Sequence, residues 1–140
     1  MSTILHTPLC ESLGIEAPIF AAPMGFVTRP ELAAAVSNAG GLGIMSFSAN
    51  PPSVLRDEIR RLRPLTSKPV GVNVLLSGPH LPFSVDAIVD VCIDERVPVL
   101  STFWGDPTPF IARAHAAGIK VIDQVGTVAD AERAARAVDS

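Results

Sequence analysis

Five short apolar runs punctuate the chain: Pro18–Ala22, Gly43–Met45, Val70–Leu75, Val97–Ser101 and Ile119–Asp123. Each is almost continuously apolar instead of alternating with polar residues, as in strands of a parallel sheet covered on both faces. Between the runs lie longer segments of helical period, and their starts carry capping chemistry. Thr28-Arg29-Pro30-Glu31 has the form of a capping box, its hydroxyl and carboxylate placed to take up free amides of a first turn. Asn50-Pro51 and Asp106-Pro107 each set a capping side chain ahead of a proline suited to the first helical position. Ser84 precedes Val85–Glu95, and Thr127-Val128-Ala129-Asp130 repeats the box before Ala131–Val138. Gly40-Gly41 and Gly118 follow helical segments, where a left-handed residue ends a helix most easily without a Cβ.

The pattern predicts an α/β chain of five βα units with a parallel sheet and right-handed crossovers. A doubly wound open sheet and a TIM-type (β/α) barrel both satisfy it. A complete barrel takes about 250 residues. In the barrel reading, residues 1–140 are therefore a single domain, the first five βα units of an incomplete barrel that stops before strand six.

Composition narrows the partners. With 48% apolar and 18% charged residues, a packed core is expected. A net charge of −3 argues against nucleic acid or an anionic membrane surface, leaving a small-molecule substrate. Arg56, Arg60, Arg61 and Arg63 read as the solvated face of a helix. Cys10 and Cys92 are in no metal-ligand spacing, and two reduced thiols suit a cytoplasmic protein. Met1 to Glu16 lacks the basic-then-apolar form of a secretory signal, and no run approaches the ~20 apolar residues that span a bilayer.

Ligands of parallel α/β folds bind at the carboxyl ends of the strands. Those ends are Pro23-Met24-Gly25, which follow Ala22, then Ser46-Phe47, Asn73 to Ser77, Ser101 to Asp106, and Asp123-Gln124. Small residues at Ala21–Gly25 let backbone approach a flat ligand, although an ordinary strand-to-helix turn reads the same way. Asn73 interrupts a buried strand, and its amide needs a specific partner, either a ligand ring edge or neighbouring backbone. Phe103 and Trp104 can wall a pocket, with Ser101 or Thr102 bonding a ligand; the same aromatics can equally cover a barrel top. Asp106 is read as a helix cap. His6, His80 and His115 are weak candidates for catalysis, His80 being the one on the functional side of the sheet. No glycine-rich dinucleotide fingerprint follows the first run, and no nucleophile–base set or metal cluster is present.

The segments Pro18–Met24, Ser37-Asn38-Ala39-Gly40-Gly41-Leu42-Gly43, Gly71-Val72-Asn73-Val74 and Ser101–Pro107 together resemble the nitronate monooxygenase family. The resemblance implies an FMN enzyme on a TIM barrel with an inserted smaller domain. Such enzymes oxidise alkyl nitronates with dioxygen, beginning with electron transfer from the bound anion to the flavin. Quinone reductases and flavin-dependent enoyl-thioester reductases share similar N-terminal motifs. By resemblance, Ala22-Pro23-Met24 supplies backbone contact to the flavin ring, Asn73 is a flavin ligand, and Phe103 and Trp104 line the substrate side. The family's histidine in a glycine-rich downstream segment, and its phosphate-binding glycines, have no counterpart in these residues. The 140 residues alone are accordingly expected to be inactive. A different class of reading is a non-catalytic remnant that associates through open strand edges.

Overall fold

The computed structural model describes residues 5–47, 50–77 and 82–138. Its strands are β1 (Gly43–Ser46), β2 (Val70–Leu75), β3 (Val99–Phe103) and β4 (Lys120–Gln124), all parallel and in sequence order across the sheet. Its helices are α1 (Pro8–Leu13), α2 (Pro30–Asn38), α3 (Pro52–Leu62), α4 (Val85–Asp94), α5 (Thr108–Ala116) and α6 (Val128–Val138).

The two faces of the sheet separate the two candidate architectures. Met45, Val72, Val74 and Leu100 point to one face, where they form a core with Ala33 and Ala34 of α2, Leu55, Ile59 and Leu62 of α3, Ile88 and Val89 of α4, and Ala114 of α5. Ile44 and Val99 point the other way and pack with Leu42, Ile15, the short α1 through Cys10 and Leu13, and the half-buried Phe20 and Ile122. Crossover helices thus lie on one face, and strand order never reverses. A doubly wound sheet needs helices on both faces; a barrel wall needs them on one. The fold is of the TIM-barrel type, in part.

The first apolar run differs from expectation. Pro18–Ala22 contributes one parallel bridge, Phe20 with Leu42, in which the Ala21 amide donates to the Leu42 carbonyl (2.9 Å) and the Leu42 amide to the Ile19 carbonyl (2.9 Å). Pro18 and Pro23 flank it and have no N–H to extend a ladder. The third long strand begins at Val99, two residues later than the apolar run, because the Val97 amide closes α4 on Cys92 (3.0 Å) and Pro98 cannot donate. Helix α1 was not foreseen. Six residues are too few to display a period, but Pro8 at its start and Gly14 with φ 71° at its end are ordinary boundary signals.

Helix ends followed the glycine signals better than the caps. Gly40 and Gly118 take φ of 93° and 76°. Thr127 accepts from the Asp130 amide (3.2 Å), and Asp106 accepts from the Thr108 amide (3.0 Å), as expected of caps. Thr28, Asn50 and Ser84 are not caps: α2, α3 and α4 start without a side-chain cap bond. Glu31 pairs with Arg61 instead of completing a box (2.6 Å).

The arginine cluster is a largely solvated face, as expected, with Arg60, Arg61 and Arg63 more than half exposed, but it is also an ion-pair network. Arg56, Arg60 and Arg63 converge on Glu95 at 3.0, 2.9 and 2.9 Å, while Arg61 and Arg29 hold Glu58 at 2.6 and 2.8 Å. The network ties α3 to the end of α4 and to the start of α2. Burial pushes the Glu95 carboxyl up, but bonds from Arg60, Arg56 and Arg63 outweigh it and hold the group below its ordinary 4.5. A carboxylate with a lowered folded pKa stabilises fully above its unfolded value and loses that contribution as pH falls through the folded one. Glu95→Gln is therefore expected to lower stability by about 1 kcal/mol at pH 7. Its deficit should shrink on acidification below pH 4.5. Urea melts of both proteins across that range measure this, and a deficit independent of pH would exclude the ionic origin.

Candidate functional site

Parallel register brings the chemistry to one rim. Ser46, Asn73 and Ser101 are side-by-side partners on the concave face, and Leu75, Phe103 and Gln124 form the next row toward the carboxyl ends. Above these rows opens a cavity of about 380 Å³, lined also by Pro23, Gly25, Phe26, Asn50 and Trp104. A second cavity, of about 660 Å³, shares Phe103, Trp104 and Gln124 and adds Asp106, Asp130 and Arg133.

Asn73 is buried on the floor at 3% exposure. Its amide nitrogen donates to the Ser101 carbonyl (3.2 Å) and weakly to the Ser101 hydroxyl (3.4 Å). The strand thus meets part of the amide's demand itself, and the side chain is held in one orientation facing the cavity. Ser101, 8% exposed, supports Asn73 and does not line the cavity.

The wall is aromatic. Phe103 and Trp104 stack with centroids 4.6 Å apart and an interplanar angle of 27°. Trp104 is 58% exposed, and on the opposite loop Phe26 is 76% exposed. Both have left-handed backbones, with φ of 56° and 62°; Arg96 is the one other non-glycine among the described residues with positive φ. Bulky residues are rarely found there, and the conformation costs about 1–3 kcal/mol unless its surroundings enforce it. The Ser77 hydroxyl donates to the Trp104 carbonyl, and Gly105 lies so close to Leu76 that an added Cβ would fall 2.5 Å from that side chain's Cβ. The aromatic loop is therefore held from below.

On the near side the turn at residues 22–28 presents backbone. The Met24 amide is used on the Ala22 carbonyl (2.9 Å) and Pro23 has none. The Ala22 N–H makes no hydrogen bond among the described residues and lies at an exposed position. The rim thus offers an amide donor, a fixed carboxamide and apolar aromatic walls, which suits the edge and face of a flat heteroaromatic ring.

Of the residues singled out from sequence, Pro23, Asn73, Phe103, Trp104 and Gln124 meet at this cavity. Ala22 and Met24 do not line it, although their neighbours Pro23 and Gly25 do; Met24 is 44% exposed. Ser46 and Leu75 stand in the strand-end segments, and Phe26 at the end of the turn after the first run, without being singled out as site residues; register makes Ser46 the partner of Asn73. Asn50, read as a cap, is the one that sequence reasoning assigned elsewhere.

The acids and thiols nearby do other work. Asp106 is held low by the Thr108 hydroxyl and amide, consistent with its capping role. Asp123 is pushed up by burial, against a bond from the Thr102 hydroxyl (2.7 Å), but it lies in the helix-facing row away from the cavity. Burial pushes the Cys92 thiol up to about 12, and Cys10 is fully buried, so neither is a ready nucleophile. His6 lies 3.8 Å from Glu11 ahead of α1, His115 is exposed on α5, and His80 lies outside the described residues. Among the described residues no group of acids, histidines and cysteines could hold a metal, and no helix is long and apolar enough to cross a membrane.

Three similarities bear on this geometry. The chain is 36% identical, over 96% of its length, to an octahydroindene-carboxyl-CoA dehydrogenase of Rhodococcus jostii, of which it spans 37%. FabK from Thermotoga maritima superimposes with a TM-score of 0.87 at 42% identity, covering 94% of this chain and 41% of that one. A nitroalkane oxidase from Streptomyces ansochromogenes superimposes at 0.83 with 32% identity, covering 94% and 46%. The chain thus spans under half the length of each of these proteins. A sequence model of nitronate monooxygenase matches residues 6–87, the stretch that holds the 22–28 turn, β1, Asn73 and the first half of the rim, and on that match the chain belongs to the nitronate monooxygenase family.

Proposed function

We propose that this chain is the ring-binding N-terminal part of an FMN-dependent oxidoreductase that oxidises alkyl nitronates with dioxygen in the cytoplasm. The observation that carries the proposal is the rim cavity, where the Pro23–Phe26 turn, the Asn73 carboxamide and the Phe103–Trp104 wall converge in a member of this family. FMN, when bound, supplies the acceptor for the substrate's electrons and passes them to dioxygen. The chain's own residues then have separable tasks. The 22–28 turn, through the backbone amides of Ala22, Gly25 and Phe26, would hold the ring together with Asn73, whose carboxamide is braced by Ser101. Phe103 and Trp104 exclude water from one side, and Gln124 bounds the far end.

A second reading makes the substrate an acyl thioester. The carboxyl-CoA dehydrogenase similarity favours it, since that match runs over 135 residues and includes β3, β4 and the aromatic loop. The full-length protein distinguishes the two. Oxygen uptake dependent on an alkyl nitronate is expected, without NAD(P)H. Thioester-dependent NAD(P)H consumption with no response to nitronate would overturn the nitronate reading in favour of the other. In either case Asn73→Ala is expected to weaken FMN retention by about 1–3 kcal/mol, the cost of leaving polar atoms unpaired. Fluorescence of released flavin measures this, and unchanged retention would make Asn73 a purely structural residue.

A further inference from the structure

The 22–28 turn is closed by a residue whose hydroxyl lies where a helix cap would be and does not cap. Thr28 is fully buried. Helix α2 starts one residue later, with Arg29 at the cap position and no side-chain bond to the first turn. The Thr28 hydroxyl instead reaches back six residues, donating to the Ala22 carbonyl (2.8 Å) and accepting from the Met24 amide (3.1 Å). Thr28's own amide donates to the Met24 carbonyl (2.9 Å), and so does that of Val27 (3.2 Å).

These bonds decide what the turn can offer a ligand. The Ala22 carbonyl, the Met24 amide and the Met24 carbonyl are all engaged, and Pro23 has no amide. Among the described residues the N–H groups of Ala22, Gly25 and Phe26 make no hydrogen bond, and of these residues Gly25 and Phe26 line the cavity. The same bonds span Phe26, whose left-handed backbone (φ 62°) needs its neighbours held to persist.

We infer that Thr28 is a positioning residue for the flavin ring: its hydroxyl fixes the turn so that the unbonded Gly25 and Phe26 N–H groups are the amides presented to the cofactor. This rests on the FMN reading above. A hydroxyl is required because one group must donate and accept at once, which serine can do and valine cannot. The methyl is secondary.

The test uses the full-length protein, wild type, Thr28→Ser and Thr28→Val, titrated with FMN after flavin removal. Thr28→Val is expected to raise the Kd for FMN by about tenfold, the loss of one to two net hydrogen bonds. It should also shift the absorption bands of the bound flavin, a signature that loss of general stability does not produce. Thr28→Ser should restore both. Equal behaviour of the two variants, or a wild-type Kd and spectrum in Thr28→Val, would overturn the inference while leaving the FMN reading intact. A wild-type protein that takes up no FMN would overturn that reading and this inference with it. Should Thr28→Val fail to fold, amide exchange in the wild type decides: FMN is expected to slow exchange at Gly25 and Phe26, and unchanged exchange there would refute the assignment.

Discussion

Residues 1–140 alone are expected to bind FMN about a hundredfold or more weakly than the full-length protein, and to show no nitronate-dependent oxygen uptake. On the proposed reading the rim holds the flavin ring, and the FMN phosphate needs a separate grip. In a TIM barrel the phosphate is usually gripped by loops after the seventh and eighth strands. The sheet here has four strands and one bridging segment. Hydrogen bonds to a charged group contribute roughly 1.5–3 kcal/mol each, so losing two removes about 3–6 kcal/mol. The wall is also less well covered at its far end. Strands β1 to β3 are almost wholly buried, whereas both ends of β4 are exposed and its middle is half-buried. Val125 and Val128 beyond it are 37% and 77% exposed. An open edge with apolar neighbours invites pairing with another chain. Size-exclusion chromatography of the isolated segment should show concentration-dependent association. Stoichiometric flavin binding with turnover by the monomer would contradict this account.

A comparably large effect is expected from one methyl group at the start of β1. Gly43 faces α2 so closely that a Cβ there would lie 1.9 Å from the Ala33 carbonyl oxygen and 2.5 Å from its carbon, both backbone. Neither can rotate away. The contact is pinned from the other side as well. Ser37 accepts from the Gly43 amide (3.0 Å) and donates to the Pro69 carbonyl (2.7 Å), locking α2 to the ends of β1 and β2. Gly43→Ala must therefore push α2 off the sheet, at about 3 kcal/mol or more. Because α2 begins where the 22–28 turn ends, the displacement should also loosen the rim. A thermal melt of the full-length protein should show Tm falling by about 10 °C. Ser37→Ala, which removes the lock without a clash, should cost about 1 kcal/mol. Gly43→Ala no worse than Ser37→Ala would mean that the helix yields freely.

Four of the five apolar runs form sheet strands within two residues of their expected bounds, and Gly40 and Gly118 end helices as their freedom at positive φ suggested. Such features were legible because they depend on local physics: continuous burial selects strand residues, and a missing Cβ selects a left-handed turn. The rim was legible for the same reason, since parallel strands must present their carboxyl ends on one side, which brought Asn73, Phe103, Trp104 and Gln124 into one list. Sequence by itself did not determine what a polar group bonds when several partners compete. Thr28 had the spacing of a cap, yet its hydroxyl serves Ala22 and Met24; Arg56, Arg60 and Arg63 had the spacing of a solvated face, yet they serve Glu95 from a different helix. Those choices belong to tertiary structure, because a hydroxyl or guanidinium takes whichever partner the packing desolvates beside it. The side of the sheet that α1 covers was decided the same way. A six-residue helix has no period of its own, and Cys10 and Leu13 acquire their meaning only against Leu42, Ile44 and Val99.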